Sequence, residues 1–218
     1  MPFSFDVLYY ILNAIILLIA LPIHEFAHAW TADRFGDDTP RMNGRLTLNP
    51  LAHLDVIGSL MMIVVGFGWA KPVPVNPYVL SRRSPSALMW VALAGPISNF
   101  LQAVIGAMLY RLLMAYGNLL SNAPQVFMLA YLFVQQYVVI NIALMLFNLI
   151  PLAPLDGDKV ADYLLPPSWS RVLETIRPYG PMLLLVLLFA GNLVGFNLLG
   201  VILGPPRDLL FRLLTGTS

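Results

Sequence analysis

The chain contains no cysteine and only three histidines. The first absence excludes disulfides, iron–sulfur clusters, thiolate zinc sites and cysteine nucleophiles. Any metal must therefore be held by His, Asp or Glu. Charge is scarce too. Asp, Glu, Lys and Arg make up 11% of the 218 residues, where soluble domains run near about a quarter. With 59% hydrophobic residues, the composition argues against a water-soluble globule. It excludes disorder more firmly, because disordered segments are poor in apolar residues. A net charge of +1 supplies no long-range field for nucleic acid, and that partner class drops out.

What the sequence does contain is long apolar runs, and its mean hydropathy is +0.78. Runs at about residues 7–30, 87–116, 126–152 and 181–203 are long enough to cross the bilayer, which takes roughly 20 helical residues. A fifth run, 56–69, is shorter and carries Gly58, Gly66 and Gly68. It reads as a re-entrant or interfacial element. The expected fold class is an all-α membrane protein: a polytopic helical bundle of 4–6 transmembrane segments with short re-entrant or extended interfacial elements. The polar stretches at 31–55, 71–86 and 156–179 are too short to fold alone, so one domain over residues 1–218 is expected. The first run lacks a basic n-region and a small-residue cleavage site, and is expected to remain in the mature protein. In the 181–203 run, the series Gly191, Gly195, Gly200 reads either as close helix packing or as a broken helix that returns.

Basic residues orient the spans. If 56–69 does not cross, then Arg34, Arg41, Arg45, Lys71, Arg82, Arg83, Lys159, Arg171 and Arg177 share one side, the inner one. The N-terminus is then outside. Arg207 and Arg212 fall on the outer side, against the rule.

Residues His24-Glu25-Phe26-Ala27-His28 sit at the inner end of the first run. On a helix, side chains four apart share a face one turn along, so both imidazoles can reach one ion. This HExxH pattern is a zinc-protease signature in which the Glu is the general base. Ionisable groups continuing a lipid-facing run are costly unless paired or ligated. A tetrahedral site needs a third protein ligand, and His53 and the carboxylates are the candidates. Asp156 stands out in Asn148-Leu-Ile-Pro-Leu-Ala-Pro-Leu-Asp156-Gly157, where prolines interrupt a helix at the same predicted depth as His24 and His28. Asp156 also reads as a helix N-cap, while Asp158 and Asp162 read as first-turn helix charges. His53 is either paired with Asp55 behind the metal or, more simply, a surface histidine at the interface. Asn99 and Gln102 are polar within an apolar helix and are expected to bond to the helix bearing the histidines. Gln135, Gln136 and Asn141 read first as the same kind of glue, and Gly95-Pro96 as a kink or a close approach. The segment Lys71-Pro-Val-Pro-Val-Asn-Pro77 favours an extended backbone, fit either to receive an extended peptide or to serve as a stiff surface loop.

With these residues in view, the chain resembles the site-2 proteases, zinc metalloproteases that cut within membranes. The resemblance rests on His24–His28 and on Asn148 to Gly157. It is strengthened by Leu48-Asn-Pro-Leu-Ala-His-Leu-Asp55, Gly68-Trp-Ala-Lys-Pro-Val-Pro-Val-Asn-Pro77 and Ala94-Gly-Pro-Ile-Ser-Asn99. It covers about residues 20–160 and shows no PDZ insertion, as in the short branch. The resemblance implies one zinc per chain on His24, His28 and Asp156, Glu25 as the water-activating base, and Asn148 as a contact for substrate or transition state. It further implies a catalytic core at about 5–165 with a C-terminal span at about 180–204, cleavage of transmembrane protein substrates in the lipid bilayer, and a cell-membrane location with the active site near the cytoplasmic face. Leu149 stands where many members carry proline, and Asp158-Lys159 where a second glycine is more usual. A metal-ion carrier would instead show repeated halves, and no repeat is present. A non-catalytic scaffold would have lost the HExxH or the LDG.

Overall fold

The computed structural model describes residues 5–55, 58, 69–117, 121–194 and 198–217. Its elements are helices α1 (Phe5–Arg34), α2 (Thr39–Met42), α3 (Pro50–His53), α4 (Pro77–Arg83), α5 (Ala87–Tyr116), α6 (Pro124–Asn148), α7 (Asp156–Leu164), α8 (Pro167–Ile176), α9 (Gly180–Val194) and α10 (Leu198–Thr215), with a 3-10 turn at Arg177–Tyr179. Among the described residues no strand forms, and the one β-bridge joins Leu54 to Ala70. The fold is an all-α membrane protein. Among the described residues, three helices are long and apolar enough to cross a bilayer: Val7–Arg34, Ala87–Tyr116 and Pro124–Asn148.

The expected run at 181–203 divides between α9, which ends at Val194, and α10, which begins at Leu198; residues 195–197 lie outside the described set. The interfacial element expected at 56–69 also lies outside it, apart from Gly58 and Trp69.

Helix α5 is the hub and packs on both α6 and α1. The reason is in its sequence. Ala92, Gly95, Asn99, Ala103 and Gly106 recur every three or four residues and are all buried. A stripe of small side chains lets backbones approach closely, which is how helices associate without a hydrophobic drive from lipid. At Gly106 an added Cβ would lie 2.9 Å from the Tyr137 ring of α6. The core continues through Val138 and Ile142 to Leu210, Phe211 and Leu214 of α10. A second cluster, Ala32, Leu80, Ala87 and Val91, ties α4 to the ends of α1 and α5. Asn76 caps α4 by accepting from the Tyr78 and Val79 amides at 3.1 and 3.3 Å.

Proline marks the functional ends of two spans. Pro22 lies within α1, two residues before His24, and Pro96 within α5, one residue after Gly95. Each removes an amide donor and so frees the carbonyl four residues earlier.

Candidate metal centre

His24 and His28 lie one turn apart on α1, both buried, with rings edge to face at 4.6 Å. Each Nδ1 is engaged. That of His24 meets Asn99 Oδ1 at 2.6 Å, and that of His28 meets the Val91 carbonyl at 2.7 Å. An imidazole nitrogen facing an oxygen acceptor must carry the proton, so in the neutral rings both Nε2 atoms present bare lone pairs. Those two atoms are 3.0 Å apart. Asp156 Oδ2 completes the set at 3.2 Å from His24 Nε2 and 3.3 Å from His28 Nε2, buried and without a hydrogen bond.

Three acceptors converging in this way need a positive centre between them. The donor set, two His and one Asp, suits zinc. Ligand atoms about 2.0–2.2 Å from a tetrahedral ion lie roughly 3.3–3.5 Å apart, close to the spacing found. The cradle is also shaped by α5. A Cβ on Gly95 would overlap His28 Nε2 and the His24 ring, so only glycine lets that backbone lie this close to the imidazoles.

Asp156 arrives from a separate part of the chain. Helix α6 ends at Asn148, and α7 starts at Asp156 after a proline-interrupted turn. A Cβ on Gly157 would collide with the Leu149 and Ile150 backbone, so glycine lets α7 start against that turn. Asp156 caps nothing, contrary to its reading as an N-cap: Leu155 is the N-cap residue, and no side-chain cap bond forms. Asp158 lies in the first turn of α7, as expected. It is 1% exposed and held by Arg177 and Lys159, which bury it beneath the turn before α9. Asp162 pairs with Arg177 at 2.6 Å.

A cavity of about 700 Å³ opens onto the triad. Glu25 and Asn148 line it, as do Trp69, Val73 and Val75. The Asn148 amide donates to the Leu144 carbonyl at 3.0 Å, which leaves its oxygen unengaged. On the far wall the lining is apolar, with Leu184, Leu188, Leu199 and Leu203 from α9 and α10.

Among the described residues the metal-ligand cluster is His24, His28 and Asp156. His53 is not part of it. It is buried rather than at the surface, bonded through Nε2 to the Thr47 carbonyl at 2.8 Å. Nor does it pair with Asp55, whose Oδ1 accepts from the Gly58 amide. Because His53 is enclosed by the loop it closes, its burial follows from tertiary folding that composition does not display.

The comparisons with known proteins agree with this geometry. A match to peptidase family M50 covers residues 12–190. The chain belongs to peptidase family M50. Among M50-like relatives, YwhC of Bacillus subtilis, named as a zinc metalloprotease, is 38% identical over 199 residues, or 91% of this chain and 89% of that protein. Rip2 of Mycolicibacterium smegmatis, also named as a zinc metalloprotease, is 32% identical over 78% of this chain and 64% of its own length. Rip2 of Mycobacterium tuberculosis, so named too, is 31% identical over 82% of this chain and 67% of its own. No solved structure matches the chain.

Two groups at the M50 site carry no sequence signal of their own kind. The Val91 carbonyl is backbone, and no residue type marks it. The Gly95 cradle hides among ordinary helix-packing glycines. The expected bonding of Asn99 and Gln102 towards α1 is found, to His24 and to the Ala20 carbonyl at 3.5 Å. Of the three residues Gln135, Gln136 and Asn141, only Asn141 makes a helix-to-helix bond among the described residues, to Asn99 at 3.0 Å.

Proposed function

We propose that this chain is a zinc metalloprotease that hydrolyses peptide bonds in or near the transmembrane segments of membrane-protein substrates, within the cell membrane and near its cytoplasmic face. The convergence of His24 Nε2, His28 Nε2 and Asp156 Oδ2 on one point at the wall of a cavity carries this reading. These three side chains would hold one zinc ion per chain. When bound, zinc supplies Lewis acidity, which makes water nucleophilic near neutral pH and polarises a carbonyl. Glu25, half-buried on the same cavity, takes the proton from the attacking water and passes it to the leaving amine. The Asn148 amide, which lines the same cavity, orients the substrate through its oxygen. The basic residues flanking α1, α4 and α7 support the cytoplasmic placement.

A substrate helix satisfies its own amides, so a stretch of it must unwind before cleavage. Residues 71–76 form neither helix nor strand, and Val73 and Val75 line the cavity. Among the described residues the Val73 and Val75 backbone groups have no hydrogen-bond partner. They supply donors and acceptors for an extended peptide, the mode of recognition known as strand addition.

The test is to purify the protein in detergent and measure bound zinc together with cleavage of a membrane-protein substrate. Glu25→Gln keeps zinc and loses cleavage, whereas Asp156→Ala loses zinc and cleavage together. Normal cleavage with full zinc in Asp156→Ala refutes the assignment.

A further inference from the structure

Residues 71–76 are anchored at both ends by buried charges that, among the described residues, have no partner of opposite sign. Arg45 is 4% exposed, and among the described residues no carboxylate pairs with it. Its guanidinium donates instead to three carbonyls: Ala52 at 2.6 Å, Lys71 at 3.2 Å and Pro72 at 3.2 Å. At the other end Asp37 is 1% exposed, and among the described residues no cation pairs with it. Its Oδ2 accepts the Asn76 amide at 2.6 Å, and its Oδ1 accepts the Thr39 amide and hydroxyl at 3.1 and 2.5 Å.

Burying a charge is costly unless hydrogen bonds replace its water. Here each charge spends part of its hydrogen bonding on the backbone of one short segment, Arg45 on the Lys71 and Pro72 carbonyls and Asp37 on the Asn76 amide. Between the anchors, Pro72, Pro74 and Pro77 fix their own φ and bias Lys71, Val73 and Asn76 towards extended conformations. Asn76 is indeed extended, at φ −101 and ψ 100. The Lys71 amide is taken by the His53 carbonyl at 2.8 Å. The result is a strap tied at both ends, with its middle unbonded on the cavity that holds the triad.

We infer that Arg45 and Asp37 are positioning residues for substrate: they hold the strap taut so that the Val73 and Val75 backbone is presented to an extended peptide beside the metal centre. This rests on the strand-addition reading above. Neither residue touches the reacting atoms. A loosened strap would weaken peptide binding while leaving the zinc ligands, which lie on α1 and α7, in place.

The experiment uses the full-length, zinc-loaded protein in dodecylmaltoside micelles with Glu25→Gln in the background, so that binding is read without turnover. The probe is a synthetic peptide with a Leu/Ala transmembrane helix and a twelve-residue Val/Ser tail, labelled with a fluorophore. A second version carries N-methyl groups on alternate tail amides, which blocks strand pairing. In the parent protein, N-methylation is expected to raise Kd about tenfold. Arg45→Met and Asp37→Asn each raise Kd for the unmethylated peptide about tenfold, and in both the methylation penalty collapses towards one. Zinc stays at one per chain.

If the parent ignores N-methylation, strand addition itself fails, and the inference with it. If the parent is sensitive but either variant keeps Kd within twofold and the full penalty, strand addition stands and the positioning role is overturned. Loss of zinc along with binding makes the two residues merely structural, which also overturns it. Should Arg45→Met not accumulate, Arg45→Lys, which retains the charge but lacks the fork that reaches three carbonyls, is measured to the same criteria.

Discussion

The His24 imidazole donates from Nδ1 to the Oδ1 of Asn99, one helix away, across 2.6 Å. The direction of that bond is forced from its far end. The Tyr137 carbonyl can only accept, so Asn141 must turn its Nδ2 to it at 2.9 Å. Asn141 Oδ1 then accepts from Asn99 Nδ2, which leaves Asn99 Oδ1 as the acceptor for His24. A backbone group on α6 thereby selects the imidazole tautomer on α1.

Asn99→Ala should therefore weaken zinc binding about 10–100-fold, the usual cost of losing a group that orients a histidine ligand. Zinc titration against a competing chelator reads this directly. Asn141→Ala should weaken it less, because Asn99 can still accept from His24. Equal, wild-type affinities in both would show that the tautomer is set in some other way.

Gly95→Ala makes a sharper prediction because two effects oppose each other. Helix propensity alone favours alanine by about 1 kcal/mol. The added Cβ, however, would overlap both imidazoles, and neither can retreat without breaking its Nδ1 bond. Zinc stoichiometry should fall well below one per chain while the helix survives. Gly204→Ala is the control, since nothing lies within 4 Å of a Cβ there. Metal analysis of the two purified variants decides between propensity and cradle.

Much of this site was legible because zinc chemistry demands particular residue types at a particular spacing. His24 and His28 are four apart on a helix and could be read as a pair before any packing was known, while Asp156 stood out beyond a proline-broken turn among other candidates and was assigned through the family resemblance. The three spans were legible for a similar reason, as hydrocarbon thickness sets a length. What could not be read depends on tertiary approach. Whether Asp158 meets water or Arg177 is decided by how the turn after α8 folds back, and the sequence separation of 19 residues carries no periodic signal. His53 appeared superficial for the same reason, since the loop that buries it is polar and short.

The Asp158–Arg177 pair yields the last prediction. Asp158 is 1% exposed and begins one residue past Gly157, so its anchoring stabilises the turn that delivers Asp156. Both Asp158 oxygens lie 3.0 Å from Arg177 Nε, and Arg177 Nη2 reaches Asp162. Removing one partner of a fully buried pair costs about 3–5 kcal/mol. Arg177 keeps some exposure and Lys159 still faces Asp158 at 2.8 Å, so Arg177→Met should cost about 2 kcal/mol. Unfolding in mixed micelles measures this. Because much of the loss is an unpaired buried carboxylate, Asp158→Leu combined with Arg177→Met should recover part of it. If the double variant loses as much as the two single losses added together, the two side chains are not coupled, and the unpaired-carboxylate account of the loss fails.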